Sequence, residues 1–165
     1  MQLALSTMLI VLVLSEPVMT LIHRWLFHGP LWCMHRSHHE FPASRKLVKN
    51  DLLWLSYFVF ATAIFLLSVF YFDQLGGQIL TGVSSGAALY GAAYIFAHDG
   101  VAHGRFYVPR SIKRHSFFRR LTMAHGSHHR GGVQGPGSAP FGVYSGPFEL
   151  AHHLNDGFFP DYRPC

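Results

Sequence analysis

The sequence predicts an all-α integral membrane protein, a helical bundle with three to four membrane-embedded helices and a cytoplasmic cap rich in histidine. Half of the 165 residues are hydrophobic and only 13% are charged, against about 25% in soluble domains. That charge content is too low for a disordered chain or a coiled coil. The thirteen histidines outnumber the eight carboxylates, and this excess indicates that the histidines have a chemical role.

Three apolar stretches are long enough to cross a bilayer, which takes about 20 residues. They cover residues 3–22, 52–72 and 78–97. Only Glu16 and Pro17 interrupt the first, and because it lacks a basic leading segment and a cleavage site we expect a span rather than a signal peptide. Residues 73–77 contain two glycines and predict a tight turn between the second and third spans.

The basic residues predict the orientation. With three spans, residues 23–51 and 98–165 share one side of the membrane, and all thirteen lysines and arginines lie there. The positive-inside rule makes that side cytoplasmic. We expect a single membrane-bound domain over residues 1–165, whose net charge of +5 reflects topology and anionic lipid, with no nucleic-acid partner.

The cytoplasmic cap, which comprises residues 23–51 and 98–165, is expected to contain short helices. The first helix ends at Gly29, and a new one runs from Pro30 to Phe41. Further on, we expect helix at 111–129, loop at 131–146 and a short interfacial helix at 148–154. Asn50 and Asp51 are expected to cap the second span.

Ten histidines fall into two kinds of box, HxxxxH and HxxHH, which occur twice in the same order. They are His23 and His28, then His35, His38 and His39, then His98 and His103, then His125, His128 and His129. On a helix, offsets of three and four share a face, so each HxxHH box is expected to aim at a common point. An offset of five turns about 140°, so each HxxxxH pair needs a helix that bends or ends. Gly29 and Gly104, which follow these pairs, allow such an end.

Ten imidazoles are more than one metal ion uses, so the boxes predict two metal ions. Imidazole suits iron, copper, nickel and zinc, and ligand type leaves the metal open. Structural zinc usually takes thiolates, of which Cys33 offers one. A carboxylate-bridged diiron bundle takes an ExxH motif from each of two helices, whereas the sequence has one such motif, at Glu149–His152, which argues against that class. The remaining histidines, His115, His152 and His153, are expected to be surface residues.

Two carboxylates are candidates for orienting the ligands. Asp99, within the second HxxxxH box, is placed to accept the second N–H of an imidazole, or else it is a helix-end carboxylate. Glu16 is costly if it faces lipid. We therefore expect it to face protein, where it bonds a histidine, serves a proton path or pairs with a serine or threonine of the bundle.

At these residues the sequence resembles the membrane-bound fatty acid hydroxylase superfamily, and within it the bacterial β-carotene 3-hydroxylases. The order of the four boxes matches, and so do the residues around them. The matching segments are His35–Glu40, Asn50-Asp51, Tyr94–His103, Val108–Arg110, Arg119–Leu121, Met123–His125, Phe141–Tyr144 and Glu16. The resemblance covers roughly residues 10–147. The linker at 104–109 is shorter than usual, glycines replace a charged stretch after Arg130, and residues 148–165 have no counterpart.

The resemblance implies an O₂-dependent non-heme diiron monooxygenase with two iron ions, in which the ten box histidines are metal ligands or donors that lie close behind the ligands. The substrate would be a carotenoid such as β-carotene, hydroxylated at carbon 3 of its β-ionone ring to β-cryptoxanthin and zeaxanthin. Electrons would come from a reduced ferredoxin-type carrier. The protein would lie in the bacterial inner membrane with its site on the cytoplasmic side.

The histidine boxes are also compatible with other activities. A hydroxylase or desaturase of another lipid, such as a fatty acyl chain or sterol, and a carotenoid ketolase would use the same boxes. A histidine-rich metal transporter is the alternative of another class. A transporter predicts ionisable groups deep within several spans, whereas here only Glu16 is so placed.

Overall fold

The computed structural model describes residues 1–130 and 140–155, and over this part of the chain the regular elements are all helical. The α-helices are α1 (Gln2–Ile22), α2 (Trp32–Glu40), α3 (Asp51–Phe70), α4 (Leu75–Ile95), α5 (Arg110–Arg114), α6 (Ser116–Arg130) and α7 (Gly146–Asn155). Two π-helical turns, His23–Phe27 and Phe96–Ala102, continue α1 and α4. The expected all-α architecture is confirmed.

Three helical segments are long and apolar enough to cross a membrane, and the chain is an integral membrane protein. They are Gln2–Phe27, Asp51–Phe70 and Leu75–Ala102. The first and third are longer than expected because the π-turns extend them. Large apolar side chains such as Val13, Phe60 and Phe70 lie exposed on the outer faces of these helices, where lipid would cover them.

Helix α4 is the centre of the bundle, since α1 and α3 both pack along it. A Cβ atom at Gly82 or Gly86 would collide with the backbone carbonyl of Ala4 or Met8, respectively. The small residues of α4 therefore permit the close approach of α1. The turn before α4 occupies residues 71–74, so the expected turn at 73–77 is shifted, and Gly77 lies in the first turn of the helix.

The cap lies below the bundle and differs from expectation in one helix. The chain is extended at His115 (φ −59°, ψ 136°), so the helix expected at 111–129 is divided into α5 and α6. Helix α6 packs against α7 and against the second π-turn, around a core of Ala97, Leu121 and Val143. This packing holds the histidines of α6 beneath the bundle.

The helix expected at 148–154 is confirmed as α7, which is slightly longer. Most of the loop expected at 131–146, and the tail from 156 to 165, lie outside the described residues. So does the side chain of His153. His115 and His152 are exposed, as expected of surface residues.

Candidate metal centre

The HxxxxH pairs lie on π-helical turns. The backbone N–H of His28 donates to the carbonyl of His23 (3.1 Å), and that of His103 donates to His98 (3.0 Å). Such i→i+5 bonds place the second residue one turn above the first, and the paired ring centroids lie 5.1 and 4.7 Å apart. The helices end at the second histidine, as expected, but a wider turn rather than a bend brings each pair together.

Nine of the ten box histidines form two groups whose potential ligand atoms lie within 4.8 Å of one another. The first group is His23, His28, His35, His39 and His128; the second group is His38, His103, His125 and His129. His98 adjoins the second group, with its ring centroid 4.6 Å from those of His38 and His125. The structure thus brings all ten residues together at one end of the bundle.

The two groups follow the repeat in the sequence. Each group draws on the i and i+4 members of one HxxHH box and on the HxxxxH pair that precedes it in the sequence; the first group contains both members of that pair, whereas the second contains His103 and has His98 beside it. The middle histidine of each HxxHH box crosses over, so that His38 joins the second group and His128 the first. The expectation that an HxxHH box aims at one point is therefore wrong. Its i and i+4 members share a face, and the residue between them faces the other group.

In the first group, hydrogen bonds made by Nδ1 show that the Nε2 atoms of His23 and His35 carry lone pairs. Nδ1 of His23 donates to the carbonyl oxygen of Phe141 (2.7 Å), and Nδ1 of His35 donates to Oδ1 of Asn50 (2.7 Å). A neutral imidazole has one N–H, so neither Nε2 carries a proton. These two Nε2 atoms nevertheless lie 3.0 Å apart. Two facing lone pairs repel unless a cation binds both.

The spacing of the nitrogens also fits a metal ion. Two imidazole nitrogens bound at about 2.1 Å and at right angles to each other lie about 3.0 Å apart. In the second group, Nε2 of His129 lies 3.1 Å from that of His38 and 3.0 Å from that of His125. The donor set and its distances therefore suit a metal ion in each group.

His98 shows the same feature without a histidine partner. Its Nδ1 donates to Oδ1 of Asp99 (2.7 Å), so a ring with a single N–H has its lone pair on Nε2. That Nε2 is buried and has no hydrogen-bond partner among the described residues. A buried nitrogen without a hydrogen-bond partner destabilises the folded protein. A metal ion bound beside the second group would give this nitrogen a partner.

Burial keeps six histidines of the two groups neutral. It lowers the pKa of His35 and of His103 to about 2, and that of His39 to about 4. Burial also holds the pKa values of His38, His125 and His129 well below 6.5. Burial is the largest cause throughout, and neighbouring histidines lower the values further. At neutral pH these imidazoles are in the form that binds metal ions.

Arg105 ties Asp99 to the start of α3. Its guanidinium pairs with both carboxylate oxygens of Asp51 (2.7 Å each) and with Oδ2 of Asp99 (3.2 Å). These hydrogen bonds raise the pKa of Arg105. The guanidinium also donates to the carbonyl oxygen of Ser44 (2.8 Å), and so it fastens the loop before α3 to the cap.

Glu16 faces the protein, as expected, but its described partners are not histidines. Its carboxylate accepts hydrogen bonds from the Tyr90 hydroxyl (2.6 Å) and from the backbone N–H groups of Tyr144 (2.7 Å) and Ser145 (2.8 Å). It therefore fixes the segment that carries the Phe141 carbonyl. Through that segment, Glu16 helps to position the carbonyl oxygen that accepts the hydrogen bond of His23.

Sequence reasoning missed three groups that orient the histidines. Asn50 was expected to cap α3, yet it makes no side-chain cap hydrogen bond and instead accepts from His35. Glu149 accepts from the N–H groups of Phe141 (2.9 Å) and Gly142 (3.1 Å). A polar residue directly before a span was a possible signal for Asn50, whereas the Phe141 carbonyl belongs to the backbone and has no signal in the sequence.

A cavity of about 150 Å³ lies among α1, α3 and α4 and reaches the histidines. Most of its lining is apolar or aromatic, including Phe27, Tyr57 and Tyr94. Its lining also includes His35, from the first group, and His98, beside the second. The cavity therefore connects the membrane-spanning part of the bundle with both groups.

The sequence profile of the fatty acid hydroxylase family matches residues 8–153. That match spans the three membrane helices and all four histidine boxes. The chain belongs to the fatty acid hydroxylase family. Members of this family are iron-dependent, and the histidine groups of this chain are able to hold metal ions.

Several curated relatives of this chain have names that specify a substrate. Beta-carotene hydroxylases of two Paracoccus strains are each 39% identical over 109 residues, which are 66% of this chain and 63% of theirs. The chloroplastic beta-carotene 3-hydroxylase of Gentiana lutea is 36% identical over 128 residues, which are 78% of this chain and 38% of that protein. The chain thus spans less than two thirds of each of these relatives. No solved structure matches it significantly.

Proposed function

We propose that this protein is an O₂-dependent diiron monooxygenase that hydroxylates carbon 3 of the β-ionone ring of a carotenoid. β-Carotene would be converted to β-cryptoxanthin and then to zeaxanthin. The observation that carries the proposal is the apolar cavity lined by His35 and His98, which meets both histidine groups. The names of the Paracoccus and Gentiana relatives support this substrate.

The ten box histidines would hold two iron ions, one in the first group and one in the second group together with His98. Iron bound there supplies the activation of O₂ for C–H hydroxylation. The protein orients the imidazoles through their Nδ1 atoms, which bond Phe141, Asn50 and Asp99. Such partners fix the tautomer and the direction of the ligand lone pair.

The cavity would take up one end of the substrate. A cavity of about 150 Å³ is on the scale of one six-membered ring, so the terminal ring of the carotenoid would enter it and the rest of the forty-carbon polyene would stay outside. Aromatic side chains such as Phe27, Tyr57 and Tyr94 line it and would keep water away from the reacting carbon. The polyene would then lie along the bundle in the bilayer.

The electron donor would be a reduced ferredoxin-type protein that docks on the cytoplasmic face. Exposed basic residues of α5 and α6 offer the complementary surface; they are Arg110, Arg114, Arg119 and Arg120. Docking of an acidic carrier on this surface should weaken as salt rises. In this proposal the active site would lie on the cytoplasmic side of the bacterial inner membrane, in keeping with the positive-inside rule.

Production of the protein in β-carotene-making bacteria, with chromatography of the pigments, tests the proposal. We expect β-cryptoxanthin and zeaxanthin with the unchanged chain, unchanged β-carotene with His38→Ala, and about two iron ions in each purified chain. Ketocarotenoids would indicate a ketolase. A chain that carries no iron, or that leaves the carotene unchanged while hydroxylated or desaturated fatty acids or sterols accumulate, would contradict the proposed reaction.

A further inference from the structure

The repeated boxes at residues 23–39 and 98–129 supply equivalent histidines, but the hydrogen-bond acceptors of these histidines differ in charge. His23 and His98 each begin the HxxxxH box of their half, and the Nδ1 of each donates a hydrogen bond of 2.7 Å. The acceptor for His23 is the backbone carbonyl of Phe141, which is neutral. The acceptor for His98 is the carboxylate of Asp99, which carries a negative charge.

The charge on Asp99 is only partly neutralised. Arg105 is its cationic partner, at 3.2 Å, but the same guanidinium pairs more closely with Asp51, at 2.7 Å. One positive charge thus serves two carboxylates, and the three side chains together keep a formal charge of −1. All three are largely buried, with side-chain exposures of 11% for Arg105, 9% for Asp99 and 3% for Asp51, so water screens this charge weakly.

On the side of the first group, the carboxylate lies one peptide unit further away. The peptide unit whose carbonyl accepts from His23 has its N–H on Gly142, and that N–H donates to Oε1 of Glu149 (3.1 Å). Glu149 therefore polarises the acceptor of His23 without touching the imidazole. The other oriented ligand of the first group, His35, donates to the neutral amide oxygen of Asn50.

A carboxylate that accepts the N–H of a ligand imidazole makes the opposite nitrogen more basic, and loss of such a partner typically costs 10- to 100-fold in metal affinity. We propose that the two metal sites differ in affinity, and that the second group with His98 holds its ion more tightly than the first group. This inference rests on the proposed function, because it takes both groups to be metal sites.

Titration of the metal-free protein in detergent with Co²⁺, against a competing chelator, tests the inference without an activity assay. We expect two binding steps of one ion each, separated by about 10- to 100-fold in affinity. His103→Ala should abolish the tighter step, and His28→Ala the weaker one. The absorption of bound Co²⁺ follows each step directly.

Two matched substitutions exchange the partners. Asp99→Asn removes the carboxylate from His98, and we expect the tighter step to weaken by about 10- to 100-fold while two ions still bind at saturation. Asn50→Asp places a carboxylate on His35 and should strengthen the weaker step alone. If Asp99→Asn fails to fold because Arg105 loses a partner, Asn50→Asp still decides the question.

The outcomes separate this inference from the proposed function. Two steps of equal affinity in the unchanged protein would overturn the inference and leave the metal sites intact. So would an Asp99→Asn protein whose two steps weaken alike, or an Asn50→Asp protein whose weaker step does not strengthen. Binding of no Co²⁺ at all would overturn the metal sites themselves, and the proposed function with them.

Discussion

The Nε2 atoms of His38 and His129 lie 3.1 Å apart, although the two residues come from opposite halves of the chain. His38 belongs to α2, yet it completes the group formed mainly by α6 and the second π-turn. In the same way, His128 belongs to α6 but completes the first group. Each middle histidine therefore serves the group of the other half.

This exchange predicts which ion each substitution removes. His38→Ala should weaken the second site and His128→Ala the first, so each purified protein should retain about one metal ion per chain and lose nearly all activity. Metal analysis of the purified proteins measures the effect. His115→Ala, which alters an exposed histidine, should retain both ions. Loss of both ions from His38→Ala and from His128→Ala would show that the two sites do not form separately.

Removal of the Arg105 side chain should destabilise the protein strongly. Arg105→Ala leaves the carboxylates of Asp51 and Asp99 buried without their cation, and breaking such a pair typically costs about 3–5 kcal/mol. Arg105→Lys keeps the charge but not the two-pronged contact with Asp51, so an intermediate loss is expected. Thermal unfolding in detergent measures both, and equal stability of the alanine and lysine variants would contradict this role of the guanidinium.

The metal-free protein should lose stability in acid. In the unfolded chain the cap histidines bind protons below about pH 6.5, whereas in the folded protein the pKa values of His35 and His103 lie at about 2 and that of His39 at about 4. The stabilisation is therefore complete above pH 6.5. It falls, for each buried histidine, by about 1.4 kcal/mol per pH unit below that value.

Denaturant unfolding of the metal-free protein between pH 8 and pH 5 measures this dependence. We expect a plateau at the alkaline end and a steep decline below about pH 6.5. A stability that rises toward acid pH would mean that the histidines are charged in the folded protein.

A side chain at position 91 should block the cavity. Gly91 lines it, and a Cβ atom there would lie 2.8 Å from ring carbons of both Phe58 and Tyr57. Gly91→Leu should lower carotene conversion about tenfold or more, since overpacking typically costs 1–3 kcal/mol, while both metal ions are retained. Ala92→Leu is the matched control, because Ala92 is exposed on the same helix. Unchanged pigment yields from Gly91→Leu would exclude this cavity as the substrate site.

The three spans and the four boxes could be predicted because lipid and metal chemistry each impose a simple pattern on the sequence. A span must be apolar for about 20 residues, and the structure places the three helices within a few residues of expectation. The convergence of ten histidines followed from their repeat. That convergence required no knowledge of how the helices pack.

The details that sequence reasoning missed depend on packing or on the backbone. The apolar and polar residues of HRWLF and FAHDGVA have no pattern that distinguishes a π-turn from an α-helix. The break at His115 lies in a segment with no proline or glycine between Ser111 and His125. The role of Asn50 also depends on a contact across the fold, since its partner His35 belongs to a different helix.

The crossing of His38 and His128 bears on the order in which the protein matures. A nascent chain that has inserted α1 to α4 already carries four of the five histidines of the first group, but His128 is still to be synthesised. If both groups bind metal ions, as proposed, neither ion would meet its full set of ligands until α6 has been synthesised and has folded back beneath the membrane. Metal loading would then be a late event of biogenesis, and it would link α1 and α2 to α6.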